Sequence, residues 1–177
     1  FLPDLQAIPE EIAKRAKFIY VNYPNNPTGA VATAAFYEEL VAWAKKYEVG
    51  VVSDFAYGAL GADGYENPSF LSTPGAKDVG IELYTFSKTF NMAGWRLAFA
   101  AGNEQLIEAL NLLQDHLFVS IFPAIQDAGA VALLDEKAKA AIAGLNQKYN
   151  ERRHAFVQAA EKIGWHAFEL SLIHISE

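Results

Sequence analysis

The sequence predicts an α/β fold: a mostly parallel sheet with one antiparallel strand and helices on both faces. Three observations carry that expectation. Short apolar runs alternate with segments whose apolar residues keep helical spacing, the pattern of strands joined by helical crossovers. The connection between the third and fourth runs, Ser87 to Trp95, is about eight residues, too few for a parallel crossover, so the last strand should be antiparallel. The composition, 52% hydrophobic and 20% charged over 177 residues, is that of a soluble globular protein.

Pro9 to Ala16 reads as a short helix, with Pro at its start and Glu10 and Glu11 in the first turn. Phe18 to Asn22 is a strand, closed by the turn-rich Tyr23-Pro24-Asn25-Asn26-Pro27-Thr28-Gly29. Thr33 caps a helix to Tyr47, in which Phe36, Leu40, Trp43 and Tyr47 share one face. Val49 to Ser53 is the next strand, with Asp54 directly after it. Residues 61–78 form a loop rich in Gly, Pro, Ser and Asn. An apolar run from Ile81 to Ser87 reads as a buried third strand ending on Lys88, and Trp95 to Ala101 as the fourth. Asn103 to His116 and Pro123 to Leu134 are expected helices. Glu136 to Lys162 reads as one helix of 27 residues, roughly 40 Å long and suited to bridging two domains.

The net charge of −7 argues against nucleic acid as the main partner, since phosphate binding calls for a basic face. No cysteine is present, so disulfides and thiolate metal sites are excluded. The four histidines (His116, His154, His166, His174) lack metal-ligand spacing. No apolar stretch reaches the ~18 residues of a membrane span. No Gly-x-Gly-x-x-Gly follows a strand, which leaves a dinucleotide site without support.

The topology gathers the chemistry. Asn26, Asp54 and Lys88 follow the carboxyl ends of parallel strands, and Arg96 opens the antiparallel one. All four are expected at the sheet edge where open α/β folds bind ligands, with Tyr57 three residues past Asp54. Alone, Asp54 could be a helix cap, Tyr57 core packing, Asn26 a turn residue and Arg96 a surface charge. Together they answer the needs of pyridoxal phosphate. Its aldehyde needs an amine, which Lys88 supplies; its ring nitrogen needs a carboxylate to hold a proton, which suits Asp54. Its phenolic oxygen needs donors, available from Tyr57 and Asn26. Its phosphate needs a clamp, suited to Arg96 with the hydroxyls of Thr85 and Ser87.

Three motifs carry a family resemblance: Asn25-Asn26-Pro27-Thr28-Gly29, Asp54-Phe55-Ala56-Tyr57, and Ser87-Lys88-Thr89-Phe90-Asn91-Met92-Ala93-Gly94-Trp95-Arg96. In order and spacing they resemble the class I/II aminotransferases of PLP fold type I, nearest to aminotransferase A, aspartate and LL-diaminopimelate aminotransferases. The resemblance implies transfer of an amino group between an L-amino acid and a 2-oxo acid through a Lys88 aldimine. It assigns Asp54 to the ring nitrogen, Tyr57 and Asn26 to the ring oxygen, and Arg96 and Thr85 to the phosphate. It further implies a cytoplasmic homodimer, in which the apolar stretch Phe118 to Phe122 could be core or could face a second subunit. Residues 1–135 would be the C-terminal portion of the cofactor-binding large domain, and residues 136–177 the linking helix and the start of a small domain.

The family's Gly-rich phosphate loop, stacking aromatic residue and carboxylate-binding arginine do not occur in these 177 residues. The chain is therefore expected to be part of a longer protein and inactive alone. Its last eight or so residues depart from the family pattern and read as non-native. The same fold also carries C–S lyases, decarboxylases and the effector-binding domains of transcription regulators, which remain alternatives.

Overall fold

The computed structural model describes residues 1–166. Four strands form one mixed sheet in the order β1-β2-β3-β4: β1 Phe18–Asn22, β2 Gly50–Asp54, β3 Gly80–Thr85 and β4 Ala98–Gly102. The first three are parallel, and β4 runs antiparallel to β3, as the short connection required. The helices are α1 Glu10–Ala13, α2 Ala34–Tyr47, α3 Ala76–Val79, α4 Phe86–Thr89, α5 Glu104–Leu117, α6 Pro123–Leu134 and α7 Glu136–Lys162. The final eight residues, singled out above, lie outside the described residues.

Helix α2 shows why these boundaries hold. The Thr33 hydroxyl accepts from the Phe36 amide at 3.1 Å, meeting one orphan donor of the first turn. Tyr37, Leu40 and Ala44 on its inner face are fully buried, and they join Val21, Val49, Val51 and Phe70 in the main core. Edge-on rings at 5.7 Å, Tyr37 on Phe70 and Tyr23 on Phe36, extend that core. Gly80 admits the close pairing of β3 with β2: a Cβ there would lie 2.5 Å from the Val51 carbonyl oxygen.

One buried acid stands behind the sheet. Ser53 and Glu82 are register partners on the α2 side, and Glu82 is only 7% exposed. Its carboxylate accepts from Ser69 Oγ at 2.6 Å, the Phe70 amide at 2.7 Å and Ser53 Oγ at 3.4 Å. Burial pushes its pKa up, partly countered by those donors. The sequence presents Glu82 as the polar gap in an apolar strand; the fold uses it to fasten the 69–72 segment onto β3.

The third apolar run ends earlier than its composition suggests. Thr85 Oγ1 accepts from the Ser87 amide at 3.2 Å, and this cap turns the chain into the single helical turn α4. Lys88 therefore sits on that turn and is exposed, not buried at a strand end. Likewise Ala93–Trp95 forms a 3-10 turn, so β4 begins at Ala98 rather than Trp95.

Candidate active site

Parallel register brings the site to one edge. Asn22, Asp54 and Leu83 are neighbours across β1, β2 and β3. Alternation along β3 puts Leu83 and Thr85 on one face, so Asp54 and Thr85 share it, opposite the Ser53–Glu82 face. The chain then delivers Ser87 and Lys88 on α4, just past the carboxyl end of β3.

Lys88 Nζ lies 5.7 Å from the centre of the Tyr57 ring, within cation–π range. The Tyr57 hydroxyl accepts from Asn26 Nδ2 at 3.3 Å. Asn26, Tyr57 and Lys88, which follow three different strands, thus form one contact chain at the sheet edge. Tyr57 is buried, while Asn26 and Lys88 are exposed.

Asp54 closes a local turn: its Oδ1 accepts from the Ala56 amide at 3.1 Å, and its carbonyl accepts from Asn22 Nδ2 at 3.1 Å. No helix follows Asp54 directly, so the residue closes a turn rather than capping a helix, and this bond engages one oxygen of the two. Thr85 Oγ1 and Ser87 Oγ are 3.0 Å apart, a hydroxyl pair beside the Leu97 carbonyl. Arg96, next in the chain, takes φ 53°, a left-handed conformation costing a residue with a side chain about 1–2 kcal/mol. Its guanidinium folds back to the Ala93 carbonyl at 3.1 Å and is exposed. The described contacts thus join Asn26 to Tyr57 and Lys88, and Thr85 to Ser87. Asp54 and Arg96 sit at the same edge.

Sequence reasoning missed the residues that hold these in place. Asn25 Oδ1 accepts from Thr28 Oγ1 at 2.7 Å and from the Thr28 amide at 3.3 Å, while its Nδ2 donates to Asn22 Oδ1 at 3.1 Å. Gly29, at φ 69°, lets the chain close the turn: its amide donates to the Asn25 carbonyl at 2.8 Å. That scaffold presents Asn26. Tyr84, an unremarked strand residue, donates to Thr89 Oγ1 at 2.8 Å and stacks obliquely on Phe99 at 5.3 Å, steadying α4. The Asn-Pro-Thr-Gly turn signal pointed to the first of these; nothing local marks Tyr84.

The donor set fits pyridoxal phosphate: an accessible primary amine, a carboxylate with an oxygen to spare, a phenol with an amide beside it, and a hydroxyl pair near an arginine. Among the described residues, no group of three or more His, Asp or Glu could hold a metal ion, and no helix is long and apolar enough to cross a membrane.

Comparison with known proteins points to one family. A family model described as aminotransferase class I and II matches residues 1–172. The L-glutamine–4-(methylsulfanyl)-2-oxobutanoate aminotransferase of Bacillus subtilis is 56% identical over 165 residues, which are 93% of this chain and 41% of that protein. The LL-diaminopimelate aminotransferase of Moorella thermoacetica is 46% identical over 166 residues, 94% of this chain and 42% of that protein. The substrate-bound structure of BacF from Bacillus subtilis superposes with a TM-score of 0.93 at 46% identity, covering 97% of this chain and 43% of that one. The chain thus spans about two fifths of the length of the relatives it matches.

Proposed function

This chain belongs to the aminotransferase class I and II family, and from that membership we propose that it supplies the lysine-bearing part of a pyridoxal-phosphate-dependent aminotransferase. The reaction would move an amino group between an L-amino acid and a 2-oxo acid. The observation that carries the reading is the Asn26–Tyr57–Lys88 contact chain beside Asp54. When bound, pyridoxal phosphate supplies an aldehyde that a primary amine can bond and a protonated ring that withdraws electrons from a substrate's Cα.

The chain's own residues have distinct tasks. Lys88 Nζ would offer the amine that holds the cofactor and would serve as general base for the proton at the substrate Cα. The Asp54 carboxylate holds the proton on the ring nitrogen. Tyr57 and Asn26 donate to the ring oxygen. Thr85 and Ser87 hydroxyls and the Arg96 guanidinium bind the phosphate, each charge-assisted bond contributing roughly 1.5–3 kcal/mol. A second copy of the protein is part of the reading. Leu112, Leu117, Phe118 and Phe122 on α5 and the following loop are each at least 62% exposed, an apolar patch that supports a subunit interface.

The test is Lys88→Ala in the complete protein. Borohydride treatment of the parent should fix the cofactor covalently to the peptide containing residue 88, as seen by mass spectrometry, and leave the variant unlabelled. Equal labelling of the variant would show that another amine holds the cofactor.

A further inference from the structure

We propose that Asn146, near the middle of α7, is a positioning residue for Tyr57. It holds the turn that carries the phenol and so ties the sheet-edge site to a helix distant in sequence. The proposal rests on the cofactor reading above.

The turn after β2 is closed by the Leu60 amide, which donates to the Tyr57 carbonyl at 2.9 Å, and by the Gly58 amide, which donates to the Phe55 carbonyl at 3.1 Å. The next three carbonyls are met by side-chain amides. Asn67 Nδ2 donates to Gly58 O and Leu60 O, both at 3.1 Å. Asn146 Nδ2 donates to Ala59 O at 2.8 Å, across 87 residues of chain. The turn is therefore bracketed, from the loop by Asn67 and from α7 by Asn146.

Other α7 residues reinforce the contact. Leu145 packs against Tyr57 and Leu60. Asn150 Oδ1 accepts from the Asp63 amide at 3.2 Å, and Arg153 pairs with the Asp63 carboxylate. Positions 145, 146, 150 and 153 are partly buried, while Gln147, Lys148, Glu151 and Arg152 are exposed. One face of α7 is thus given to this turn.

Packing alone does not account for an asparagine here. Asn146 Oδ1 is buried with no hydrogen-bond partner among the described residues. An apolar side chain would fill the space without that orphaned oxygen. What only the amide provides is the bond to Ala59 O. Because Tyr57 opens this turn, a relaxed Ala59 carbonyl moves the phenol relative to Asn26 and Lys88.

The test uses the complete protein loaded with pyridoxal phosphate, comparing the parent with Tyr57→Phe, Asn146→Ala, Asn67→Ala and the exposed-face control Gln147→Ala. The first readout is the pH midpoint of the cofactor's visible absorption change. Asn146→Ala and Asn67→Ala should move it in the direction set by Tyr57→Phe, by about 0.3–1 pH unit, or roughly 2–10-fold in proton affinity. Gln147→Ala should leave it in place. The second readout, in cofactor-free protein, is amide hydrogen exchange of residues 57–60, expected to quicken about tenfold in Asn146→Ala. A parent midpoint retained in Asn146→Ala overturns the proposal, as does unchanged exchange. A parent with no Lys88-dependent absorption sinks the cofactor reading, and with it the claim for the phenol.

Discussion

Removing the Glu82 carboxylate tests whether the acid behind the sheet is held for its hydrogen bonds or tolerated despite its charge. In Glu82→Ala, the fully buried Phe70 loses its amide's acceptor at 2.7 Å, a loss of about 1–3 kcal/mol. Ser69 Oγ loses its 2.6 Å partner, adding roughly 0.5–1.5 kcal/mol. The Ser53 contact at 3.4 Å is long enough to add little. Relief of the desolvated charge returns part of this, so the expected net loss is roughly 1–4 kcal/mol. Glu82→Gln keeps an oxygen for Phe70 and can donate to Ser69, and its loss should stay under about 1 kcal/mol. The two variants also separate in pH. Burial raises the folded pKa, so the folded state binds the proton more tightly than the unfolded chain. Stability from this group is then full below the ordinary glutamate value and declines as pH rises through the folded value. The Gln variant should lack that decline. Urea unfolding followed by tryptophan fluorescence, at pH values from below the ordinary glutamate value of 4.5 upward, measures both quantities. An Ala loss below about 0.5 kcal/mol, or a Gln variant with the parent's pH slope, refutes the reasoning.

Two further substitutions probe the site and the fold separately. Asp54→Asn retains an oxygen for the Ala56 amide and so should leave the circular dichroism unchanged. It removes the charge proposed to hold the ring proton, and turnover in the complete protein should fall about 10–150-fold, the equivalent of one charge-assisted bond. A loss under about threefold counts against that role. Thr33→Ala deletes the cap on the Phe36 amide and should cost about 1 kcal/mol, lowering the urea midpoint without changing the slope. An unmoved midpoint means α2 is held by its buried face alone.

Elements whose signals are local were legible in the chain. Thr33, Pro123 and Glu136 mark where α2, α6 and α7 begin, because capping and first-turn chemistry act within one turn. The antiparallel β4 followed from connection length alone. The third apolar run misled, because hydrophobicity does not report that Thr85 will capture the Ser87 amide and end the strand before Lys88. Glu82 hid for the related reason that a polar residue in a strand normally faces water, and only a partner segment such as 69–72 makes burial tolerable.

By itself, the order of residues settled the architecture and the family, since periodicity, caps and the three motifs are read along the chain within a few residues of one another. Only the folded chain decided that Asn26 meets Tyr57, that Lys88 stands exposed over its ring, and that amides at 67 and 146 share one turn. Those meetings join positions 7 to 87 residues apart. A hydrogen bond lost with a few tenths of an ångström depends on the packing of every element between its partners.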